Sequence, residues 1–452
     1  MSDLVNITHY NSIAVVGLGQ TGLSCVRYLL SRGIRPLVFD SRAEPPGRAA
    51  LQQLDSSIEL RCGEFTATTF VGIEALIVSP GIDPAIEAIQ CSKAAGAAIF
   101  GDIDLFAAEV SQPIIGITGS NGKSTVTRLT GELLAAAGLK VAVGGNIGVP
   151  ALDLLAQEAD VYVLELSSFQ LDLCQKIPLR AATILNLSAD HLDRYGSMAA
   201  YSASKQRIYR HAEMAIYNRD DSSSQPQQLA TAQQLSFGSD DSSAAAPALF
   251  GIDRQQPHWS ISFAAKPLLG ADELALTGLH NLLNVQAALA LVHALGVDIQ
   301  RCLTAARSFQ ALPHRCQLVG EWQGVRWVND SKATNIGAAE AAIHGVRALV
   351  PGQLIVLAGG DGKGQDFSQF SSALKQVDTL IVFGQDAARI APFHHHVMAV
   401  DNLQQAVTQA HQLASTGSMV LLSPACASLD QFRNYEQRGE QFVAAVEACY
   451  GA

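Results

Sequence analysis

The residues with the clearest chemical potential lie in the segment TGSNGKST, residues 118–125, between an apolar run and a helical pattern. Gly119 and Gly122 free the backbone to wrap phosphate oxygens, Lys123 can meet the β- and γ-phosphates, and Ser124 can hold Mg²⁺. The first glycine of the strict GxxxxGK[ST] pattern stands one place too early. The strand-loop-helix setting nevertheless favours a phosphate-binding loop over a turn that merely contains lysine.

A second phosphate signature stands near the amino terminus. Gly17, Gly19 and Gly22 fit GxGxxG between a β-rich run and a helical pattern, and Asp40 ends the next β-rich run. Such glycines allow a tight turn and the close approach of a pyrophosphate to a helix N-terminus, while the acid can accept a ribose hydroxyl. Alone, this motif predicts a dinucleotide-dependent dehydrogenase, and its structural alternative is a packing turn without ligand.

Three further side chains are candidates for the same chemistry. Glu165 follows the apolar run VYVL, where a carboxylate can bind a metal or orient water. Taken alone, its position is better explained by a helix-capping or ion-paired acid. His191 and Lys205 follow the apolar run AATIL. Spacing alone leaves the histidine as a structural hydrogen-bonding group and the lysine as a solvated charge.

The elements that must position these residues alternate between β-rich runs and helical patterns along the whole chain. This alternation predicts parallel sheets with crossover helices. We predict three α/β domains: Rossmann-like residues 1–101, a P-loop ATPase-like domain with a parallel sheet over residues 102–311, and Rossmann-like residues 312–452. The polar stretch 220–247 is predicted to be a surface loop or an excursion at a sheet edge.

Composition limits the classes of function. The chain has 452 residues, 48% hydrophobic and 16% charged, with a formal net charge of −11, which disfavours a broad nucleic-acid-binding surface. Its eight cysteines include no CxxC pair, so neither a zinc site nor a disulfide framework is expected. With no signal peptide pattern and no membrane-spanning run, we expect a cytoplasmic protein. The histidine run 394–396 is predicted to be a surface loop.

Nine motifs fall in order along the chain: TGSNGKST, GGNIG, LELSSFQL, DHLDRY, GLHNLLN, LPHR, NDSKATN, GGDGKGQDF and SPACASLDQF. Together they resemble the Mur ligases of bacterial cell-wall synthesis, over essentially the whole chain. The P-loop variant is shared with folylpolyglutamate synthetase, whereas NDSKATN and SPACASLDQF look specific to the members that add D-glutamate. The resemblance explains both phosphate signatures, one for a UDP-sugar and one for ATP.

The resemblance implies an activity. ATP would phosphorylate the terminal carboxylate of UDP-N-acetylmuramoyl-L-alanine, and the D-glutamate amine would attack the acyl phosphate, giving an amide for peptidoglycan synthesis. It further implies ATP as co-substrate, two Mg²⁺ ions, and a cytoplasmic enzyme, expected to be a monomer, that serves cell-wall growth, cell shape and division. Nucleic-acid binding and membrane insertion are not expected.

The resemblance also implies roles for individual residues. The expected catalytic side chains are Lys123, Glu165, His191 and Lys205. The expected metal ligands are Ser124, Glu165, His191 and Lys205, the last as a carbamate. The expected ATP-binding residues are Gly119, Ser120, Asn121, Gly122, Lys123, Ser124, Thr125, Asn281, Arg315 and Asp330. The expected substrate-binding residues are Leu18, Thr21, Asp40, Ser41, Arg42, Gly81 and Asn146 for the UDP-sugar, and Lys332, Thr334, Lys363, Ser428, Leu429 and Tyr435 for D-glutamate. Relatives often carry Phe in place of Tyr435.

Other functions compete with this interpretation. An NAD-dependent oxidoreductase would explain the amino-terminal glycines but not the second phosphate loop or Glu165. A non-catalytic nucleotide-binding switch would bind nucleotide without releasing phosphate. A sister ligase adding another amino acid is disfavoured by NDSKATN, and a folate polyglutamylase by the amino-terminal glycine loop.

Overall fold

A computed structural model describes residues 5–227, 233–240, 250–254, 259–276, 278–310, 313–347 and 350–451, and the elements below belong to that part of the chain. Three large sheets follow one another along the sequence, each flanked by helices. The predicted α/β fold with three domains is confirmed. The predicted boundary at 311/312 falls on residues outside those described, and both domain boundaries stay predictions.

The first sheet is built from five parallel strands: β1 (Ile13–Val16), β2 (Leu37–Asp40), β3 (Leu60–Cys62), β4 (Ala75–Val78) and β5 (Ala98–Phe100). The helices of this part are α1 (Gln20–Ser31), α2 (Arg48–Leu54), α3 (Glu87–Ala94) and α4 (Asp102–Glu109). The strand order β3-β2-β1-β4-β5 reverses between β1 and β4. The loops after these two strands therefore open a crevice at the carboxyl ends, where such sheets bind ligands.

The central sheet has six parallel strands: β6 (Ile114–Thr118), β7 (Val141–Gly145), β8 (Val161–Glu165), β9 (Leu179–Ile184), β10 (Ala212–Asn218) and β11 (Gln233–Phe237). Its helices are α5 (Lys123–Ala136), α6 (Ser168–Leu173), α7 (Leu192–Tyr195), α8 (Met198–Gln206), α9 (Leu279–Ala294) and α10 (Leu303–Ser308). In the order β11-β10-β9-β6-β8-β7, the strand that feeds the P-loop is central. The loops after β6, β8 and β9 consequently meet at one edge of the sheet.

Two features of this region differ from the prediction. The edge strand β11 lies inside the stretch predicted as a loop or edge excursion, and its pairing with β10 buries Leu235 and Phe237. The remainder of that stretch includes residues 228–232 and 241–247, which lie outside the described residues. A small antiparallel sheet, formed by β12 (Phe250–Asp253), β13 (Ser260–Phe263) and β14 (Lys266–Gly270), was not predicted.

The third sheet contains β15 (Gln317–Trp322), β16 (Val325–Asn329), β17 (Leu354–Gly359), β18 (Thr379–Phe383), β19 (Val397–Ala399) and β20 (Met419–Leu422). Its helices are α11 (Ile336–Arg347), α12 (Ser371–Leu374), α13 (Ala387–Ile390), α14 (Leu403–Leu413) and α15 (Tyr435–Tyr450). The order is β15-β16-β20-β17-β18-β19, parallel except for the antiparallel edge strand β15. The buried runs of β17 and β20 are typical of strands covered on both faces.

The first and central sheets share part of their apolar packing. One buried cluster includes Val15 and Ile77 of the first sheet together with Ile114 and Leu164 of the central sheet. The apolar cores of the two sheets are therefore continuous. Among the described residues, no helix combines the length and the apolar character needed to cross a membrane.

Candidate active site

The loop between β6 and α5 has the backbone of a phosphate-binding loop. Gly119 and Gly122 have φ angles of +153° and +82°, in the region that favours glycine. The Lys123 ammonium donates to the carbonyl oxygens of Gly119 and Ser120 at 2.8 and 2.9 Å. Because α5 begins at Lys123, the free amides of its first turn and its dipole favour an anion beside the loop. The loop is therefore shaped to hold phosphate oxygens.

Glu165, at the end of β8, offers a carboxylate oxygen that lacks a protein partner. The residue is 2% exposed, and Asn146 Nδ2 donates to its Oε1 at 2.7 Å. Its Oε2 is buried without a hydrogen-bond partner among the described residues. A buried carboxylate oxygen in this state is costly unless a cation or donor reaches it. Glu165 and Ser124 line one cavity, which therefore offers oxygen ligands of the kind that Mg²⁺ prefers.

His191 lines this cavity, here called the phosphate cavity, from the segment that follows β9. Its φ is +53°. Burial lowers its pKa to about 4, with nearby lysines acting in the same direction against the pull of Asp190. The imidazole is therefore neutral near pH 7 and keeps a lone pair for a metal or a proton.

Lys205 lies deep in the phosphate cavity. It is 2% exposed, and its ammonium nitrogen lies 3.3 Å from Thr118 Oγ1. Burial and the nearby charge of Lys123 hold the pKa of Lys205 well below its usual value. Both effects favour the neutral amine over the ammonium.

The carboxy-terminal sheet adds cationic side chains to the phosphate cavity. Arg315 donates to Ser124 Oγ at 2.8 Å, although the two residues are 191 positions apart. Lys332 Nζ lies 3.7 Å from the centre of the Tyr435 ring. Burial lowers the pKa of Lys332 to about 8, helped by Arg315 and Lys123. The cavity therefore brings cations from two sheets to the place where phosphate charge would be held.

An ion pair joins the central and carboxy-terminal parts. The Asp190 carboxylate bonds the Lys363 ammonium and accepts from Asn335 Nδ2 at 3.3 Å. Burial alone would raise the pKa of Asp190, but Lys363 and His191 hold it below its usual value. Asn335 Nδ2 also donates to Asn121 Oδ1 of the P-loop at 3.2 Å. The P-loop and the carboxy-terminal motifs are thus linked directly.

A second cavity, here called the nucleoside cavity, shares the P-loop residues Asn121 and Gly122 with the phosphate cavity. It encloses about 310 Å³, in the range of small-molecule sites. It is lined by three predicted ATP-binding residues that the phosphate cavity lacks, Thr125, Asn281 and Asp330, and it shares Arg315 with that cavity. Burial raises the pKa of Asp330 to about 7 although it accepts from Ser423 Oγ at 2.8 Å. Apart from Gly119, which lines neither cavity, the predicted ATP residues therefore fall into two adjoining spaces.

The glycine loop after β1 lines a third pocket, here called the amino-terminal pocket, together with the loop after β4. Gly17 has a φ of +94°, and a Cβ there would lie 2.9 Å from Ser79 Cβ. A Cβ on Gly19 would meet no atom within 4 Å. The predicted UDP-sugar residues that line this pocket are Thr21, Ser41, Arg42, Gly81 and Asn146.

Two of the predicted UDP-sugar residues lie behind this pocket instead. Leu18 and Asp40 are fully buried. Asp40 Oδ2 accepts from the Leu18 amide and from the Arg42 guanidinium, both at 2.7 Å. Asp40 therefore shapes the glycine loop and orients Arg42, and its role towards the UDP-sugar stays a prediction.

Only some of the residues predicted to hold D-glutamate line the phosphate cavity. Lys332 and Thr334 line the phosphate cavity. Ser428 is buried, and its carbonyl oxygen accepts from Phe432 N at 2.8 Å. Leu429 is 70% exposed. Lys332 thus lines the phosphate cavity directly, whereas Lys363 reaches it only through its ion pair with Asp190 and the 428–429 segment does not line it.

Six residues that line the phosphate cavity had no role predicted from the sequence: Ser167, Ser168, Phe169, Asp190, Tyr201 and Asn335. Asp190 and Asn335 stand inside motifs quoted above. Each is a polar residue next to one with a predicted role, and this position is the sequence feature that could have identified it. Tyr201 carries no such signal, because its hydroxyl reaches Ser120 Oγ at 3.1 Å only through folding. His394, in the predicted surface loop, bonds the carbonyl oxygen of Val377 through Nε2.

Three family models match the chain. One described as Mur ligase middle domain matches residues 117–292, one described as Mur ligase MurD-like, N-terminal domain, matches 11–101, and one described as Mur ligase, glutamate ligase domain, matches 314–426. Three similar proteins are each named UDP-N-acetylmuramoylalanine–D-glutamate ligase. They come from Idiomarina loihiensis (45% identity, 97% of each chain covered), Pseudomonas aeruginosa (47%, 96% of this chain and 97% of that one) and Marinobacter nauticus (49%, 96% and 97%).

Two solved structures resemble the chain in fold. The MurF ligase of Thermotoga maritima in complex with ADP has a TM-score of 0.62 at 18% identity, covering 99% of this chain and 98% of that one. The UDP-N-acetylmuramate-alanine ligase of the same organism has a TM-score of 0.61 at 17% identity, covering 97% and 99%.

Proposed function

Because this chain belongs to the Mur ligase family, we propose that it joins D-glutamate to UDP-N-acetylmuramoyl-L-alanine at the expense of ATP, in peptidoglycan synthesis. The observation that supports this most directly is the phosphate cavity. There the P-loop Lys123, the Glu165 carboxylate and Lys332 of the carboxy-terminal part line one space, and Glu165 Oε2 has no partner among the described residues. Such a space suits the transfer of a phosphoryl group onto a carboxylate and the approach of an anionic amino acid.

We further propose a division of labour among the three predicted domains. Residues 1–101 bind the UDP-sugar through the amino-terminal pocket. Residues 102–311 bind ATP through the P-loop. Residues 312–452 supply two lysines for D-glutamate: Lys332, which lines the phosphate cavity, and Lys363, which pairs with the lining residue Asp190. Asn146 lines both the amino-terminal pocket and the phosphate cavity, so it lies where the sugar-linked carboxylate would meet the γ-phosphate. The enzyme is proposed to act as a cytoplasmic monomer.

Mg²⁺ is the proposed cofactor, and the unpaired Glu165 Oε2 fits it. Ser124 and Glu165 would hold one ion, and His191 and Lys205, as its carbamate, a second. When bound, the ions would neutralise charge on the phosphate oxygens during transfer. Among the described residues, no three His, Cys, Asp or Glu side chains form a group that could hold a metal ion.

The proposed chemistry proceeds in two steps. A carboxylate oxygen of the UDP-sugar attacks the γ-phosphorus, and ADP leaves. The amine of D-glutamate then attacks the acyl carbon, loses a proton, and phosphate leaves with the oxygen that it took from the carboxylate. Lys123 and Arg315 stabilise the charge that develops on the transferred group, because Lys123 is held by carbonyl oxygens of the P-loop and Arg315 by Ser124 Oγ. Activation is needed because a carboxylate is a poor electrophile.

The proposal is tested by phosphate release with UDP-N-acetylmuramoyl-L-alanine, ATP and Mg²⁺. D-Glutamate should support turnover, whereas L-glutamate, D-alanine and meso-diaminopimelate should not. Turnover with one of the other amino acids instead would reassign the chain to a sister ligase. A requirement for nicotinamide nucleotide would favour the oxidoreductase alternative.

Replacing Gly19 by valine should weaken binding of the UDP-sugar by at least about tenfold while leaving ATP binding almost unchanged. The new side chain meets no protein atom near its Cβ, so the fold should survive while the ligand's space is filled. Titration calorimetry with each ligand measures the two affinities, and a factor of ten is about 1.4 kcal/mol. An equal loss of ATP affinity in a folded variant would refute the division of labour.

Replacing Lys363 by alanine should raise the KM for D-glutamate about 10- to 100-fold, and the KM for ATP much less. The ammonium that pairs with Asp190 in this structure would no longer be available to a substrate carboxylate. Initial rates of phosphate release give both constants. Lys375→Ala is the matched control, because Lys375 is an exposed lysine that directly follows α12 in the carboxy-terminal part. A larger effect on ATP would move Lys363 to the nucleotide site.

A further inference from the structure

One arginine connects the amino-terminal pocket with the segment that carries His191. Arg194 lies in α7, which begins immediately after His191. Its guanidinium donates to the carbonyl oxygens of Pro80 and Ile82, each at 3.2 Å. Both acceptors belong to the loop after β4, which lines the amino-terminal pocket. A half-buried side chain of the central part therefore holds the backbone of a loop that lines the amino-terminal pocket.

The flat face of the same guanidinium packs on an aromatic ring of the phosphate cavity. Its central carbon lies 4.3 Å from the centre of the Phe169 ring. Phe169 in turn meets the His191 imidazole edge-on, with ring centres 4.8 Å apart. Phe169 and His191 both line the phosphate cavity. An arginine can serve both sides because its donors lie in one plane while the face of that plane remains free to stack.

The backbone at His191 depends on its surroundings. Its φ of +53° is one that residues other than glycine keep only where neighbouring contacts support it. The amides of Arg194 and Tyr195 donate to the His191 carbonyl oxygen at 3.1 and 3.0 Å. A displacement of Arg194 consequently acts on His191 both through this turn and through the Phe169 ring.

We propose that Arg194 is a positioning residue that couples occupation of the amino-terminal pocket to the placement of His191. The inference rests on the proposed function, in which that pocket takes the UDP-sugar and His191 faces the nucleotide phosphates and Mg²⁺. A ligand that fixes the loop after β4 fixes the two carbonyl oxygens, and thereby the arginine and the turn behind it. By linkage, the UDP-sugar and the Mg²⁺-nucleotide strengthen each other's binding by the same factor.

The test is the binding of UDP-N-acetylmuramoyl-L-alanine to the full chain, measured by calorimetry with and without Mg²⁺ and the β,γ-imido analogue of ATP. The analogue should tighten binding to the unmodified chain by about tenfold, within the usual range of coupling. Arg194→Met, which keeps an apolar stem against Phe169 but has no donor, should reduce that factor to below about twofold. Arg27→Met is the matched control, because Arg27 also joins the first and central parts, through an ion pair with Asp153. It should keep the full factor.

Several results would overturn the proposal. One is a tenfold factor retained by a folded Arg194→Met, and another is an equal loss in Arg27→Met. A factor near one in an unmodified chain that binds the UDP-sugar would also contradict it. If Arg194→Met fails to fold, Arg194→Lys replaces it and should lose at least about half of the factor, since lysine lacks the planar face; an unchanged factor refutes the coupling. Failure of the unmodified chain to bind the UDP-sugar at all would instead contradict the proposed function.

Discussion

Replacing Lys123 by alanine should lower kcat for phosphate release by at least about 10³-fold, the scale at which a lost cation slows phosphoryl transfer. The Lys123 ammonium is held by the carbonyl oxygens of Gly119 and Ser120 at the entrance of α5. Burial lowers the pKa of Lys123, with Glu165 and Asp190 opposing that effect, so an incoming phosphate would meet a poorly solvated cation. Charge that develops in the transition state would lose this fixed partner in the variant.

Single-turnover measurement of ADP formation, with saturating ATP and UDP-sugar, separates the phosphoryl-transfer step from later events. Arg128→Ala is the matched control, because Arg128 lies on the same helix but is exposed, and it should keep nearly full activity. Melting temperatures of both variants establish that they are folded. Near-normal turnover by Lys123→Ala would end the assignment of this loop as the ATP phosphate site.

Replacing Lys205 by either alanine or arginine should reduce turnover by at least about 100-fold, if Lys205 acts as a carbamate. An ammonium has no lone pair and cannot bind a metal, whereas a neutral amine that adds CO₂ and releases a proton becomes an anionic oxygen ligand. The structure favours the neutral amine, because Lys205 is 2% exposed and burial holds its pKa well below the usual value. Arginine keeps the positive charge but cannot form the carbamate.

Chemical rescue distinguishes the carbamate from a simple cation. Formate or acetate should partly restore the alanine variant, by placing a carboxylate where the carbamate stood, and should not restore Lys123→Ala. Activity is measured at saturating Mg²⁺ with and without added bicarbonate. A folded, fully active Lys205→Arg variant, or the absence of any rescue, would indicate that Lys205 attracts phosphate as an ordinary ammonium.

The parts of the site that local sequence determines were predictable. The position of Lys123 follows from a glycine loop between an apolar run and a helical pattern, and the position of Glu165 from its place at the end of a buried run. Because the carboxyl ends of parallel strands share one edge, β6 and β8 bring these residues into one cavity. The roles of His191 and Lys205 came from family resemblance, since spacing alone favoured structural readings.

The parts that depend on long-range packing were not predictable. Asp190 and Lys363 are 173 positions apart, and their ion pair exists only because the central and carboxy-terminal sheets face each other. Asp40 fits the expected pattern of a ribose acceptor, yet folding directs its carboxylate to Arg42 and the Leu18 amide. In the same way, β11 forms because pairing with β10 buries its apolar residues, which outweighs the polar composition around it.

The fate of the carboxylate oxygen tests the central claim most directly. UDP-N-acetylmuramoyl-L-alanine labelled with ¹⁸O in both oxygens of its terminal carboxylate is incubated with ATP, Mg²⁺, D-glutamate and the full chain, and the products are analysed by mass spectrometry. Attack of the carboxylate on ATP predicts one labelled oxygen in each released phosphate and one in the new amide. Phosphate released without label would contradict activation of the UDP-sugar carboxylate, and with it the proposed function of this site.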